Sequence, residues 1–164
     1  MKRTRAVLPL SGQPARTVPP ISGTQVYARD DFSGAGRHDQ AKLLLVEDDY
    51  LVASQMETAL TDAGFAVAEV VASAEEAISA AATHQVDLVV MDVRLAGCRD
   101  GVDAAVELFD RHGIRSIFAT AHCDAEIRRR AAPAKPLGWL QKPYSMSSLV
   151  AVVRGALDRL DEPE

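Results

Sequence analysis

The chain has 164 residues, a length that suits one domain and leaves little room for a second. Hydrophobic residues make up 48% of it and charged residues 25%, the balance of an ordinary soluble globular protein, and the net charge is -5. That acidic charge argues against a general affinity for nucleic acid or anionic membranes, and no apolar run approaches the roughly 18 residues of a membrane span. We therefore predict a cytoplasmic protein that neither binds DNA directly nor enters a membrane.

Residues 1–40 differ from the rest of the chain. Four prolines and four glycines interrupt a polar segment that has neither helical nor strand periodicity, which predicts a disordered extension. Its basic start is followed by an apolar run that is too short, and too soon broken by Pro9, for a signal peptide. Two interpretations stay open: a docking or regulatory arm, and an inert extension or misplaced start codon.

From residue 41 onward, apolar runs typical of strands alternate with segments of helical periodicity. The predicted strands are 42–46, 65–71, 87–92, 114–119 and 137–141. The predicted helices are 50–63, 73–84, 100–112, 124–132 and 145–160. Such an alternation indicates an α/β fold of the flavodoxin-like (βα)5 type, a doubly wound parallel sheet with strand order 2-1-3-4-5, because crossovers between parallel strands are right-handed and cover both faces.

Local sequence signals refine the predicted boundaries and apolar faces of the helices. Ser73 and Glu76 form a predicted capping box at the start of the second helix, and Gly64 and Gly113 are predicted stops after the first and third. The predicted apolar stripe of the first helix comprises Leu51, Val52, Met56, Ala59, Leu60 and Ala63. That of the last helix comprises Leu149, Val152, Val153, Ala156 and Leu160.

Polar side chains follow four of the predicted strands at their carboxyl ends. The central strand ends in Asp92, and the first strand is followed by the run Glu47-Asp48-Asp49. If these two strands are parallel neighbours, their carboxylates converge and need a cation, for which Mg²⁺ with its preference for oxygen ligands is the natural choice. Thr120 and Lys142 end the fourth and fifth strands, so the sequence predicts a site for an anion held by a metal and an ammonium group.

On these residues, over roughly 41–160, the chain resembles the receiver domains of two-component response regulators, which would make 41–161 a receiver domain. The resemblance implies that Asp92 is the phosphoacceptor and that its phosphorylation depends on Mg²⁺. It further implies that Mg²⁺ binds through Asp48, Asp92 and the backbone carbonyl of Arg94, with Glu47 contributing directly or through a water. Such a protein catalyses only its own phosphorylation and dephosphorylation and is not otherwise an enzyme.

The resemblance also assigns the remaining site residues. Lys142 would pair with a phosphoryl oxygen, and Pro143 behind it is a candidate for a cis peptide bond. Thr120 would move to bond the phosphoryl group, and Trp139, three residues before the lysine, would turn inward into the space that Thr120 leaves. A Trp139 packed permanently at the edge of the core is the alternative that the sequence leaves open.

The implied phosphodonor is a sensor histidine kinase or a histidine phosphotransfer protein. With four residues after Leu160, no output domain is expected, so the signal would pass to a downstream protein target through the face formed by 124–132, 137–141 and 145–160. A role as a phosphate sink in a phosphorelay, and a homodimer on activation, stay open.

Some features depart from the common receiver pattern. Leu95-Ala96-Gly97 occupies a turn that carries proline in many receivers, and Phe118-Ala119-Thr120 is similar to an alphaproteobacterial subset in which glycine normally follows. His122 could affect dephosphorylation or be an exposed loop residue. The run 128–130 of three arginines could meet an acidic partner or only solvate its helix, and Cys98 and Cys123 are predicted free thiols.

Two other classes of function are weighed against the receiver. A phosphohydrolase of the haloacid dehalogenase type also uses an Asp at a strand end with Mg²⁺, but it needs a second Asp two residues later, where Arg94 stands. A receiver-like binding module that is never phosphorylated is the other, and the complete set of site residues argues against it.

Overall fold

The structure is a computed structural model that describes residues 41–122 and 124–161. The predicted disorder of 1–40 and the predicted thiol of Cys123 lie outside the described residues. Among the helices of the described part, none has the length and apolar composition needed to cross a bilayer.

Strands and helices alternate throughout the described residues. The strands are β1 (Lys42–Val46), β2 (Ala66–Val71), β3 (Leu88–Asp92), β4 (Arg115–Thr120) and β5 (Gly138–Gln141). The helices are α1 (Tyr50–Asp62), α2 (Ala74–Thr83), α3 (Gly101–His112), α4 (Ala125–Ala131) and α5 (Met146–Asp161), with a 3₁₀ turn at Ala132–Ala134. All neighbouring strands pair in parallel, in the order β2-β1-β3-β4-β5, which confirms the predicted flavodoxin-like topology.

The two faces of the sheet carry separate cores. Strand residues alternate between them, so that Leu43 and Leu45 face α1 and α5, whereas Leu44 and Val46 face the side covered by α2, α3 and α4. β3 is buried along its whole length, as expected for a central parallel strand with helices on both faces. Burial of both faces fixes the register of the strands, and with it the residues that emerge at their carboxyl ends.

Helix boundaries differ from the predicted ones by at most one residue, and at several helix starts the cause is a polar side chain that caps the helix from outside. Asp100 and Asp124, predicted as first helical residues, are N-caps whose carboxylates accept the amide N–H of the third residue along. Ser73 caps α2 as predicted, but the Glu76 carboxylate accepts the N–H of Ala72, at 2.8 Å, and not that of Ser73. Gly64 and Gly113 follow α1 and α3 with positive φ, as their predicted role as stops requires.

Two predictions about helix faces are corrected. Leu51, predicted to point inward, is 70% exposed. The buried stripe of α1 is Ala53, Met56 and Leu60, and Leu51, two residues before Ala53, lies about 200° around the helix from it. In α5, Leu157 joins the buried stripe, whereas Val152 and Leu160 are only partly buried.

Gly101 brings the start of α3 directly against the end of β3. Its N–H donates to the carbonyl of Val93, at 3.0 Å, and a Cβ built on it would lie 1.9 Å from the backbone oxygen of Asp92. A side chain at this position would therefore displace the backbone that carries Asp92.

We expect Gly101→Ala to lower the free energy of unfolding by about 3 kcal/mol, the upper part of the range for overpacking. Gly155 is the matched control, because it lies inside α5 with no atom within 4 Å of a built Cβ. Gly155→Ala should raise stability by about 0.5 kcal/mol or more, since alanine favours a helix interior. Urea denaturation measures both, and similar values for the two variants would contradict the close approach at Gly101.

Candidate functional site

Three carboxylates converge at the carboxyl edge of the sheet. β1 and β3 are hydrogen-bonded neighbours with Val46 opposite Met91, so Glu47 and Asp92 emerge side by side. One oxygen each of Glu47, Asp48 and Asp92 lie within 4.8 Å of one another. Glu47 and Asp92 are only 4% and 6% exposed, whereas Asp48 is exposed. The structure thus brings together three of the acids that the sequence singled out.

Asp49, the fourth acid of the predicted cluster, has another task. Its carboxylate caps α1, accepting the N–H groups of Leu51 at 2.9 Å and Val52 at 3.2 Å. An aspartate in this position satisfies amide groups that the first turn of a helix leaves without partners. Asp49 therefore positions the start of α1 beside the site.

Both carboxylate oxygens of Asp92 are hydrogen-bonded. Oδ1 accepts the amide N–H of Arg94 at 3.0 Å, and Oδ2 accepts from the ammonium of Lys142 at 2.7 Å. The structure places the Arg94 amide in this way, and the role of its carbonyl as a metal ligand stays a prediction. Asp92 is thereby held at a defined orientation at the mouth of the site.

Lys142 joins two carboxylates that come from different strands. Its Nζ lies 2.6 Å from Glu47 Oε2 and 2.7 Å from Asp92 Oδ2. Burial lowers the pKa of Lys142, but the hydrogen bonds to Asp92 and Glu47 outweigh that effect, so the pKa lies above its usual value. Burial and the nearby charge of Asp92 raise the pKa of Glu47 although Lys142 opposes them. The site therefore carries more negative charge than Lys142 alone can neutralise.

The donor set of this cluster fits Mg²⁺. All three groups offer hard oxygen ligands, and the one ammonium leaves two of the three carboxylate charges uncompensated. A divalent cation bound by few protein ligands keeps positions open for other oxygens. Glu47, Asp48 and Asp92 are thus suited in number, chemistry and charge to hold one such ion.

Thr120 lies at the end of β4, next to β3, and is 2% exposed. Its hydroxyl donates to the carbonyl oxygen of His122 at 2.9 Å and accepts the N–H of the same residue at 3.2 Å. The hydroxyl is therefore engaged with the loop before α4 and not with Asp92. The movement predicted for Thr120 would have to break both of these bonds.

Trp139 packs at the edge of the core. Its ring stacks on the buried Phe118, with ring centroids 4.9 Å apart, and the guanidinium of Arg128 lies 5.1 Å from the centre of the Trp139 ring. Three residues after Trp139, the peptide bond between Lys142 and Pro143 is cis in the structure. Rotation of Trp139 stays a prediction, and such a rotation would change its contacts with Phe118 and Arg128.

The arginines 128–130 have partners within the described chain that sequence reasoning missed. Arg128 lies on Trp139, Arg129 pairs with Glu126 in the same helix, and Arg130 pairs with two aspartates of the α3 start, Asp100 and Asp103. At Arg128 and Arg130 the run therefore does more than solvate its helix, and a contact of the run with an acidic partner protein stays a prediction. The aspartates lie 27 and 30 residues away in the chain, and no local pattern signals such a pairing.

An apolar groove adjoins the site beside α1. It has a volume of about 430 Å³. Its lining residues come from α1, from the position after β4, from the segment after β5 and from the start of α5, and they are Val52, Gln55, Ala121, Lys142, Pro143, Tyr144 and Met146. Tyr50 and Leu51, large hydrophobic side chains that are 80% and 70% exposed, belong to the same end of α1. These two side chains do not line the groove, and sequence reasoning missed the exposure of Leu51 because it placed that residue in the core.

Comparison with known proteins agrees with the fold. The family model described as response regulator receiver domain matches residues 43–154. The transcriptional regulatory protein PdtaR of Mycobacterium tuberculosis is 31% identical over 121 residues, which cover 74% of this chain and 58% of PdtaR. The transcriptional activator protein IrlR of Burkholderia pseudomallei is 31% identical over 118 residues, covering 72% of this chain and 51% of IrlR. The chain thus spans between half and three fifths of the length of these relatives.

Solved structures give the same result. The signal receiver domain of a modulated diguanylate cyclase from Desulfovibrio desulfuricans superposes with a TM-score of 0.68 at 31% identity, over 75% of this chain and 99% of that one. A CheY-like receiver domain protein from Methanospirillum hungatei superposes with a TM-score of 0.68 at 21% identity, over 73% and 95% of the two chains. The second likeness supports the fold alone.

We expect removal of the Lys142 side chain, which bridges Glu47 and Asp92, to lower stability in a pH-dependent way. Without metal at neutral pH, Lys142→Met should cost roughly 2 kcal/mol of unfolding free energy, because it leaves two nearly buried carboxylates without a counterion. The cost should shrink as the pH falls, because Glu47, whose pKa lies above its usual value, becomes protonated. Urea denaturation in EDTA at several pH values measures it.

Lys42→Met is the control for this experiment, since Lys42 is exposed and the substitution changes the net charge by the same amount. In the wild type the contribution of Lys142 should be fully present at neutral pH and should also disappear as the pH rises through the raised pKa of Lys142. A cost of Lys142→Met that stays constant between neutral and acidic pH would show that the charge bridge does not cause it.

Proposed function

The chain belongs to the response regulator receiver domain family, and we propose that it accepts a phosphoryl group on Asp92 and signals by contact with another protein. The observation that carries the proposal is the arrangement around Asp92. A nearly buried carboxylate is held by the Arg94 amide and the Lys142 ammonium, inside a cluster of acids that fits a divalent cation.

The proposed donor is a phosphohistidine on a sensor histidine kinase or a histidine phosphotransfer protein. An oxygen of the Asp92 carboxylate attacks the phosphorus, and the P–N bond breaks with its electron pair left on the imidazole nitrogen. The product is an acyl phosphate on Asp92 and a free histidine on the donor. Because the nucleophile is already a carboxylate, the chain needs no general base for this step.

Charge neutralisation is the main task of the surrounding residues. In the proposed site Asp48, Asp92 and the backbone carbonyl of Arg94 would hold Mg²⁺, with Glu47 contributing directly or through a water. When bound, the metal would supply positive charge that offsets the repulsion between the carboxylates and the phosphoryl oxygens. Lys142, already in contact with Asp92, keeps its ammonium at the site and pairs with a phosphoryl oxygen once the group has been transferred.

Thr120 would transmit the phosphorylation of Asp92 to the neighbouring face of the domain. Its hydroxyl leaves the backbone of His122 and bonds a phosphoryl oxygen, and the new bonds to Thr120 and Lys142 supply the free-energy difference between two arrangements of the neighbouring face. In this proposal the face of α4, β5 and α5 is where a downstream protein or a second copy of the chain binds, in the cytoplasm. Trp139 in β5 would change its packing against Phe118 in the same transition.

The groove beside α1 supports a protein as the donor. Tyr50 and Leu51 expose large apolar surfaces next to the acids, and Lys142 lines both the groove and the phosphorylation site. An apolar surface of this kind is typical of a protein contact. A donor protein seated there would bring its phosphohistidine to Asp92, and a small donor would not need the contact.

We expect the purified chain, given Mg²⁺ and acetyl phosphate, to gain the mass of one phosphoryl group. EDTA should abolish the gain, and so should Asp92→Asn, which removes the attacking carboxylate and keeps the shape of the side chain. Intact-protein mass spectrometry measures the gain, and the fluorescence of Trp139 records any accompanying change in packing.

Asp49→Asn is the matched control, because it removes the same charge from the neighbouring acid while asparagine can still cap α1. This variant should be phosphorylated like the wild type. Equal labelling of the Asp92→Asn variant would contradict the proposal, and so would a folded wild type that shows neither labelling nor a change in Trp139 fluorescence. A Trp139 change without a lasting adduct would instead indicate rapid turnover, as in a phosphate sink.

A further inference from the structure

α4 carries three consecutive arginines that bind in three different directions. Arg130 reaches across to the start of α3, and Arg128 reaches to β5. Arg129, between them, pairs only within its own helix in the contacts described, with Glu126 three residues before it. Two of the three arginines therefore tie α4 to neighbouring elements.

The contact made by Arg130 is well placed to fix α4. Nη1 donates to Asp100 at 2.8 Å and Nη2 donates to Asp103 at 2.9 Å. Burial alone would raise the pKa of Asp100, but the hydrogen bonds from Arg130 and from the Asp103 amide hold it below its usual value. The side chains of Arg130 and Asp100 are 36% and 32% exposed, so solvent screens this pair less than it screens Arg129 and Glu126, at 75% and 60%.

Few apolar contacts compete with these polar ones. α4 has seven residues, of which Ala131 is fully buried and Ile127 is partly buried. A short helix with so little buried apolar surface belongs to the elements that move at low free-energy cost. The contacts of Arg128 and Arg130 therefore provide a large share of the interactions that hold α4 in place.

The same helix is connected to the phosphorylation site. The Thr120 hydroxyl is bonded to the backbone of His122, and Asp124, two residues further on, is the N-cap of α4. Trp139, on which Arg128 lies, is hydrogen-bonded through its strand to β4, with Phe118 as its paired residue. A shift of Thr120 would disturb the segment that leads into α4, and a shift of Trp139 would disturb the partner of Arg128.

We propose that Arg128 and Arg130 form a latch, the α4 latch, that holds α4 on α3 and β5 in the unphosphorylated protein and opens when Asp92 is phosphorylated. That the latch holds α4 rests on the contacts alone. That it opens when Asp92 is phosphorylated rests on the proposed function. The latch stabilises one of two arrangements, so its strength sets how much phosphoryl-type ligand is needed to populate the other. Weakening it makes the protein respond to less ligand.

The chain provides its own control, since Arg128, Arg129 and Arg130 are the same residue type in one helix. Arg130→Gln and Arg128→Gln remove the two latch contacts, and Arg129→Gln removes the same charge without touching the latch. In the full-length protein without ligand, amide hydrogen exchange compares 125–131 in α4 with 74–83 in α2. Titration with beryllofluoride in the presence of Mg²⁺, followed through the Thr120 amide resonance, measures the half-saturating concentration.

For Arg130→Gln we expect exchange in α4 to become about fivefold faster, with α2 unchanged, and the half-saturating beryllofluoride concentration to fall about fivefold. Arg128→Gln should act in the same direction and Arg129→Gln should behave as the wild type. Asp103→Asn serves as a second variant that weakens the same contact from the other side.

The latch is overturned if Arg130→Gln and Asp103→Asn both match Arg129→Gln in α4 exchange, or if Arg130→Gln needs more beryllofluoride than the wild type. Failure of the proposed function has a different signature. There, no variant and no wild type would respond to beryllofluoride, while faster α4 exchange in Arg130→Gln would still establish the contact as a restraint on the helix.

Discussion

One ammonium group between two nearly buried carboxylates is the interaction on which the site depends. Glu47 follows β1, Asp92 ends β3 and Lys142 follows β5, so the bridge joins three strands at one edge of the sheet. Charges are removed from water at a cost that only close pairing can offset. The parallel topology brings these residues together. The bridge in turn offsets the cost of burying their charges where the strand ends pack.

The bridge does not neutralise the site completely, and that incompleteness is what makes it chemically useful. The pKa of Glu47 stays above its usual value in spite of Lys142, and Asp48 adds a further carboxylate. A site with residual negative charge attracts a divalent cation, whereas Lys142 is free to exchange one anionic partner for another. Asp92 is held by the Arg94 amide on one oxygen and by Lys142 on the other, so its carboxylate has a defined orientation at the site.

Much of the fold and the position of the site could be predicted from the sequence because strong, local signals encode them. Fully apolar runs ending in Asp92 or Glu47 mark buried parallel strands, and such strands share a carboxyl edge. Residues whose role depends on the exact phase of a helix, or on partners far along the chain, could not be predicted. Asp49 caps α1 and does not join the acids, Leu51 lies outside the apolar stripe, and Arg130 binds aspartates from another helix. A periodicity shows that a helix is amphipathic, but it does not show which long side chain will reach which neighbour.

A crystal structure of the protein with Mg²⁺ and beryllofluoride tests the proposed role of Asp92 most directly. We expect the beryllium group on Asp92, with Lys142 Nζ moved from the carboxylates to a fluorine atom and the Thr120 hydroxyl released from His122 to contact another fluorine atom. A bound group with Lys142 still bridging Glu47 and Asp92, and with Thr120 still bonded to His122, would contradict it.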